Sequence, residues 1–514
     1  MSQNIILKNK NIRPVKNFKD TLLLNTSIVV LLIVCVFFYA FTEESYNAIE
    51  NISLLVRNYF GQFYLILGLC CVLILIAVAI SKWGTYKLGK PNEKPAFSRM
   101  AWVSMLYSAG MGAGILLRAV QEPVYMLLNT PVSTKTSKET IALEYTFYQW
   151  GFTAWAFYAL FALAIGTAVF KYNRPVLTSS TVYNTLENKE PRSKFSGRFL
   201  IDLLTLLTTV FGLVAAVGLG ASQIKGGLDH LIGVTLNSNY IIALILLVGG
   251  LSLISALSGV EKGIKRLSTV NIYLTLTLLL FVLIQSDVIG VLKQFSISFY
   301  HYIIDFIPMS LALGNYNPGT QFLTDWTYYY WAFWIAWAPF TGIFIARISR
   351  GRTIREIIIG VLLLPSLGTF LWFTVFGQSA FELIASWQTY SGEFDNVFTS
   401  LFVFLSNYPL QVALNSVVVL LLIGFLVTSL DSAIYVLSTF TSTATKEPSK
   451  RHRILWSIIL TMSAVGLVML GFARKGSDVL IAAQKLLIIT SLPLSLFMVL
   501  MAIKWLINLN HWKK

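Results

Sequence analysis

Long runs of apolar residues, separated by short polar connections, dominate the chain. Twelve of these runs reach the ~20 residues that an α-helix needs to cross a bilayer. We therefore predict an all-α polytopic membrane protein with twelve transmembrane helices. The predicted spans lie near 21–42, 59–81, 98–128, 143–170, 199–222, 239–258, 269–290, 326–346, 356–377, 411–440, 454–472 and 481–507.

Composition agrees with this pattern. Of the 514 residues, 56% are apolar and only 12% are charged, whereas soluble domains carry about 25% charged residues. A soluble protein and a disordered one are both excluded. The three cysteines, Cys35, Cys70 and Cys71, lie inside apolar runs, which disfavours a disulfide framework or a thiolate metal site.

The net charge of +16 raises the question of an anionic partner. Of the 39 Lys and Arg residues, 30 fall in the termini and in the connections on the same side, and seven fall on the opposite side. This asymmetry follows the positive-inside rule and predicts that both termini are cytoplasmic. We expect the basic residues to set topology and to contact membrane lipids rather than nucleic acid.

A glycine-rich run, 108–114, interrupts the third span. A helix broken inside a membrane is tolerated where it lines a cavity or a site, and unwound carbonyls there would suit a cation or a substrate. The alternative is close helix packing, because Gly110 and Gly114 form a small-xxx-small contact. The sequence leaves both readings open.

Aromatic residues form a second candidate feature. They are Trp150, Trp155 and Tyr158 in span 4 and Trp326, Trp331, Trp334 and Trp337 in span 8. Most membrane tryptophans belong to interfacial belts, but Trp155 and Trp334 lie several residues inside their spans. Clustered rings in a low-dielectric interior would bind a quaternary ammonium group by cation–π attraction.

Hydroxyl groups in span 10 form the third feature. Thr428 and Ser429 stand close to Asp431. Hydroxyls in a spanning helix usually donate to a carbonyl one turn earlier. These two also qualify as hard oxygen ligands for a small cation, and an acidic residue within a span is a functional candidate.

Three motifs together resemble one family. The run 326–340 reads WTYYYWAFWIAWAPF, and 345–356 reads IARISRGRTIRE. The run 109–114, AGMGAG, is followed by Glu122-Pro123. These runs are similar to the tryptophan-rich signature, the following basic loop and the glycine-rich third span of the betaine/carnitine/choline transporters. The resemblance covers nearly the whole chain.

The resemblance implies a leucine-transporter-like fold with two inverted five-helix repeats and two additional N-terminal helices. It also implies a multi-pass protein of the bacterial cell (inner) membrane, commonly a homotrimer. The expected parts are a basic N-terminus (1–20), two peripheral helices (21–97), a first repeat (98–290), an amphipathic connection on the outer surface (291–325), a second repeat (326–507) and a short C-terminus (508–514).

The resemblance further implies a substrate site and a sodium site. The aromatic box would consist of Trp150, Trp155, Tyr158 and Trp334, with Trp331, Phe333, Trp337 and Met111 nearby. Sodium, the only coupling ion or cofactor expected, would be bound by carbonyls of Ser108, Met111 and Phe425 and by the hydroxyls of Thr428 and Ser429.

The chain departs from the family pattern at three places. Phe333 stands where the signature usually has Trp, and span 5 lacks hydroxyls over 211–218, which argues against a second sodium ion. Arg118 replaces an aromatic residue. It either pairs with Glu122 one turn later or meets a substrate carboxylate, which would favour betaines over choline.

The resulting prediction is a secondary active transporter of a trimethylammonium-type solute, driven by sodium. Sodium-independent exchange, as in carnitine antiporters, is the alternative. An enzyme is disfavoured because the four histidines lie in loops or near helix ends and no HExxH or GxSxG motif occurs. A channel is disfavoured because broken spans and an enclosed aromatic site fit a carrier better than a continuous polar pore.

Overall fold

The computed structural model describes residues 19–110, 112–134, 136–183, 196–258, 261–442, 448–473 and 478–511. Over these residues the protein is almost entirely helical, and a lone β-bridge joins Lys87 to Thr353. Eleven of the described helices are long and apolar enough to cross a membrane. The prediction of an all-α polytopic membrane protein is confirmed. The predicted third span is not among the eleven, because it is divided into shorter helices.

The helices are labelled in chain order. They are α1 (Lys19–Ala40), α2 (Thr42–Ile80), α3 (Arg99–Gly110), α4 (Ala113–Arg118), α5 (Gln121–Leu128), α6 (Lys138–Trp150), α7 (Phe152–Gly166), α8 (Gly197–Ile232), α9 (Asn239–Ser258), α10 (Glu261–Gln285), α11 (Val288–Ile304), α12 (Phe306–Leu311), α13 (Thr320–Ile348), α14 (Ile354–Ser386), α15 (Ser400–Leu405), α16 (Gln411–Phe440), α17 (Lys450–Gly471) and α18 (Val479–Asn510).

The glycine-rich run does interrupt the third span. Helix α3 ends at Gly110, and Gly112 is fully extended, with φ −157° and ψ −177°, before α4 begins at Ala113. Helix α4 is only six residues long and packs against α8 and α16. Of the two hypotheses for this run, a broken helix and close helix packing, the structure favours the broken helix.

A second interruption, at Gly151 between α6 and α7, was not predicted. A Cβ atom at Gly151 would lie 2.5 Å from the ring of Phe370 and 2.6 Å from the carbonyl oxygen of Phe147, so only glycine fits. The interruption leaves the N–H of Phe152 without a helical partner, and it donates instead to the hydroxyl of Tyr302 at 3.0 Å. An otherwise unbroken apolar run gives no sign of this break.

Helices α7 and α13 form the centre of the molecule. They pack against each other along their lengths, and α13 also contacts α8 and α18. Apolar surface on α9 and α10 stays uncovered. In the most apolar 18-residue stretch of each helix, only 33% and 28% of the residues, respectively, are buried. These outer helices therefore present apolar surface that is suited to lipid.

The connection before α13 differs from its predicted boundaries. A single amphipathic helix was expected within 291–325, whereas the structure has α11, α12 and a short turn, and α13 already begins at Thr320. A π-helical turn over Leu323–Tyr328 continues directly into the tryptophan-rich part of α13. The extra residues at the start of α13 include Gln321, Thr324 and Asp325, whose polar side chains line the cavity described below.

Two connections are joined by backbone hydrogen bonds. The segment after α2 pairs with the segment between α13 and α14: Leu88 N donates to Arg352 O, and Gly351 N donates to Leu88 O, both at 2.8 Å. The N–H of Ile354 donates to Tyr86 O at 2.8 Å. This pairing, which we name the connection clasp (86–88 with 351–354), ties α2 to the α13–α14 hairpin.

Candidate functional site: an aromatic cluster beside a broken helix

Four predicted aromatic residues lie together between α6, α7 and α13. The ring centroids of Trp150 and Trp334 are 5.2 Å apart, those of Trp334 and Tyr158 are 6.2 Å apart, and those of Tyr158 and Trp155 are 5.4 Å apart. All four side chains are buried. We name these four residues the aromatic cluster.

The rings of the aromatic cluster meet nearly at right angles. The interplanar angles are 69°, 88° and 89° along the series from Trp150 to Trp155. Successive faces therefore point in different directions, as walls around a cation would. A quaternary ammonium has no N–H to donate, so ring faces are the chemistry available to bind it, and each desolvated ring contributes up to ~2 kcal/mol.

The break at Gly151 helps to hold the cluster. Because α6 ends there, the carbonyl oxygen of Gln149 is free to accept a hydrogen bond from the indole Nε1 of Trp334 at 2.9 Å. The side-chain amide of Gln149 donates to Thr327 Oγ1 at 3.2 Å. Gln149 was not predicted as a site residue, since its role depends on a helix end that the sequence does not reveal.

Glu122 is a second residue that the sequence prediction left out of the site. Its Oε2 accepts hydrogen bonds from the indole of Trp150, at 3.1 Å, and from the hydroxyl of Tyr330. Glu122 is fully buried. The sequence could have identified Glu122 as a site residue, because a carboxylate within a transmembrane span is a functional candidate by default.

The broken third span lies directly against the aromatic cluster. A Cβ atom at Gly114, in the first turn of α4, would be 3.2 Å from Cη2 of Trp150. Gly112 has open space around the corresponding position. The close approach of α4 to an indole thus explains why residue 114 is small. It also brings α4 next to the aromatic cluster.

The remaining predicted aromatic residues lie on different sides of α13. The ring centroids of Phe333 and Trp334 are 5.3 Å apart. The indole Nε1 of Trp337 donates a hydrogen bond to the carbonyl oxygen of Gly212 at 3.2 Å. Trp331 instead packs against Tyr148 at 5.0 Å and is fully buried. The structure therefore places Phe333 and Trp337 on a face flanking the cluster and places Trp331 in helix packing.

Arg118 is buried at the end of α4, with 4% of its surface exposed. Its Nη1 donates to Oε1 of Gln121 at 2.6 Å, and its guanidinium carbon lies 4.9 Å from the ring centroid of Trp326. The ion pair with Glu122, one of the two predicted roles of Arg118, does not form within the described residues; the Glu122 carboxylate is instead bonded to Trp150 and Tyr330.

The predicted sodium ligands are only partly described. Met111 lies outside the described residues, and Ser108 lies in the last turn of α3. In α16, the hydroxyl of Thr428 donates to the carbonyl oxygens of Gly424, at 2.9 Å, and Phe425, at 3.1 Å. This is the back-bonding expected of a hydroxyl in a spanning helix, and Ser429, next to it, is half-buried.

Comparison with known proteins matches residues 22–514 to the family model described as BCCT, betaine/carnitine/choline family transporter. The chain is 38% identical to the glycine betaine transporter OpuD of Bacillus subtilis, over 88% of each chain. It is 31% identical to a probable glycine betaine transporter of Desulfitobacterium hafniense, over 89% of this chain and 91% of that one.

A high-affinity choline transport protein of Escherichia coli is 33% identical, over 86% of this chain and 64% of the relative. The matches thus extend across both the broken third span and the aromatic cluster. This multi-pass membrane protein belongs to the betaine/carnitine/choline transporter family.

Proposed function

We propose that this protein is a secondary active transporter of a quaternary-ammonium solute, which it binds in the aromatic cluster. The observation that carries the proposal is the convergence of four buried rings from three helices beside a broken span. The names of the relatives, which refer to glycine betaine and choline, support the same solute class. Rings at right angles in a dry interior bind a trimethylammonium group better than a primary amine, which keeps its hydration.

A binding titration tests this assignment. Purified protein is titrated with glycine betaine, carnitine and choline while its tryptophan fluorescence is followed, and glycine serves as the unmethylated control. We expect a saturable change with at least one trimethylated ligand and none with glycine. A flat response to every trimethylated ligand would contradict the assignment.

We further propose that sodium drives transport. The predicted ion site combines carbonyls near the third-span break with Phe425, Thr428 and Ser429. The bonds that Thr428 donates are compatible with this role, because a hydroxyl that donates its proton keeps lone pairs for a cation. Helix α4 packs against α16, which supports a site shared between the broken span and that helix.

Thr428→Ala combined with Ser429→Ala is the variant that tests sodium coupling. Uptake into proteoliposomes is measured with sodium and with potassium as the external cation. Thr439→Ala is the matched control, because Thr439 lies on the same helix and its hydroxyl donates to Tyr435 O at 2.8 Å in the same way. We expect the double variant alone to lose the sodium stimulation. If wild-type protein exchanges solutes equally well without sodium, the exchanger alternative replaces symport.

The same proposal includes a topology. Both termini lie in the cytoplasm, and helices within 98–290 and 326–507 form two inverted repeats that rock against each other around the site. The first repeat supplies the broken helix, and the second supplies Trp334 and the α16 hydroxyls. With this orientation, the N-terminal ends of α2, α13 and α18 lie on the external side of the membrane.

A further inference from the structure

A cavity of about 430 Å³ lies where the first halves of α2, α13 and α18 meet α4 and α5. Five charged residues line it, namely Glu50, Arg57, Arg118, Asp325 and Lys485. In the proposed topology the cavity lies on the external side. It is therefore placed where a solute would arrive before it reaches the aromatic cluster.

The charges that line the cavity differ in how they are satisfied. Glu50 bonds to both Arg57, at 3.3 Å, and Lys485. The carboxylate of Asp325 accepts from the amide of Gln321 at 2.7 Å. Within the described residues, no carboxylate forms an ion pair with Arg118, and its guanidinium donates instead to the neutral amide of Gln121. Arg118 is thus a buried cation that faces the cavity and is bonded to a neutral amide.

A stack of aromatic rings leads from this cavity to the aromatic cluster. Phe322, Trp326, Tyr330 and Trp334 follow one another at four-residue spacing on α13. Their centroids are separated by 6.2, 6.4 and 6.0 Å, with interplanar angles of 22°, 17° and 29°. Trp326 lines the cavity, and Trp334 belongs to the cluster. The stack therefore connects the cavity to the aromatic cluster.

Arg118 occupies a face of this stack at its external end. Its guanidinium lies over Trp326, which is where an arriving ammonium group would also be attracted. A solute with only positive charge meets repulsion there. A solute that also carries a carboxylate neutralises Arg118, because a guanidinium offers a planar fork of N–H donors that matches a carboxylate.

We propose that Arg118 and the cavity around it bind the carboxylate of a zwitterionic trimethylammonium solute before the solute enters the aromatic cluster. This proposal rests on the proposed function. The protein thereby selects betaine-type zwitterions over choline. Gln121 orients the guanidinium, and the cavity rings of Tyr125 and Trp326, whose centroids are 4.8 Å apart, lie beside the ammonium end.

The test compares glycine betaine with choline, which carries the same trimethylammonium group without a carboxylate. Dissociation constants are measured by fluorescence titration for wild-type protein, Arg118→Met and Arg118→Lys. Arg57→Met is the matched control, because Arg57 lines the same cavity but is paired with Glu50. Size-exclusion chromatography checks that each variant is folded. If Arg118→Met does not fold, the betaine preference of Arg118→Lys decides the test.

We expect wild-type protein to bind betaine about tenfold to a hundredfold more tightly than choline, the range for a charge-assisted hydrogen bond. Arg118→Met should abolish most of this preference, Arg118→Lys should reduce it, and Arg57→Met should retain it. A wild-type protein without the preference, or Arg118 variants that keep it, would overturn the proposal while leaving the transport function intact. If wild-type protein binds neither ligand, the proposed function itself fails.

Discussion

Trp334 makes three kinds of contact with a single side chain. Its ring faces Trp150 and Tyr158, its indole nitrogen is bonded to Gln149, and its position on α13 continues the stack that starts at the cavity. Removing the ring would open the cluster and leave the Gln149 carbonyl without this donor. No other member of the cluster has contacts of all these kinds.

We therefore predict that Trp334→Leu weakens solute binding at least tenfold, since a desolvated ring contributes about 2 kcal/mol or more to the binding of a cation. Trp334→Phe, which keeps a weaker ring, should lose less. The control is Trp387→Leu, at a half-buried tryptophan that follows α14 and packs against Phe394 at 5.3 Å. Equilibrium binding of radiolabelled glycine betaine measures all three. Equal affinities for Trp334→Leu and wild-type protein would refute this role.

The sequence identifies individual aromatic residues better than it identifies their partners. Trp150, Trp155, Tyr158 and Trp334 were predicted together through the family resemblance, and the structure brings them together. Gln149 and Tyr330 were missed, because their roles arise from contacts between helices that are far apart in sequence. Arg118 was predicted to pair with Glu122 or to meet substrate, and its contact with Trp326 depends on the packing of α13 against α4 and α5.

Among the secondary-structure elements, the two broken spans distinguish this fold from a simple helix bundle. Both breaks contain glycine, but for different physical reasons. At Gly151 the neighbouring ring and carbonyl exclude any Cβ atom. At 112–114 the constraint falls on Gly114, which faces Trp150, whereas Gly112 has an extended backbone that any residue adopts.

This difference gives a paired prediction. Gly114→Ala places a methyl group 3.2 Å from Trp150, which is tighter than ordinary contact, so the indole must shift and the Michaelis constant for uptake should rise severalfold. Gly112→Ala meets nothing within 4 Å and should remain close to wild type. Uptake kinetics in cells that lack other betaine carriers would measure both. The opposite order of effects would show that α4 does not position Trp150.

Spans were predicted more accurately than their interruptions. Apolar length alone located eleven helices, because bilayer crossing imposes a minimum length on the sequence. Three glycines within five residues indicated the first break. A single glycine, Gly151, did not indicate the second break, since glycines are also common where helices simply pack against each other in membranes.

For the molecule as a whole, the connection clasp joins α2 to the α13–α14 hairpin. Gly351 sits within it at φ +83°, a left-handed conformation, and a Cβ atom there would lie 2.7 Å from the backbone of Lys94. Arg352 adds a cation–π contact, with its guanidinium 4.3 Å from the ring centroid of Trp102 at the start of α3. The clasp therefore holds the entrance to the broken span in place.

Gly351→Ala should destabilise the protein by about 1–3 kcal/mol, because it combines a strained backbone with a steric clash. Gly250→Ala is the control, since Gly250 lies in α9 with open space around it and alanine favours a helix. Thermal unfolding in detergent, followed by intrinsic fluorescence, should show a lower midpoint for Gly351→Ala alone. An unchanged midpoint would mean that the clasp does not contribute to stability.

Transport against a gradient tests the central claim most directly. Wild-type protein and Trp334→Leu are reconstituted into proteoliposomes, and radiolabelled glycine betaine is supplied under an inward sodium gradient. We predict that wild-type protein accumulates betaine above its external concentration and releases it when the gradient collapses, and that Trp334→Leu does so at most weakly. Absence of accumulation by wild-type protein, or equal accumulation by the variant, would contradict a sodium-driven carrier built around this aromatic cluster.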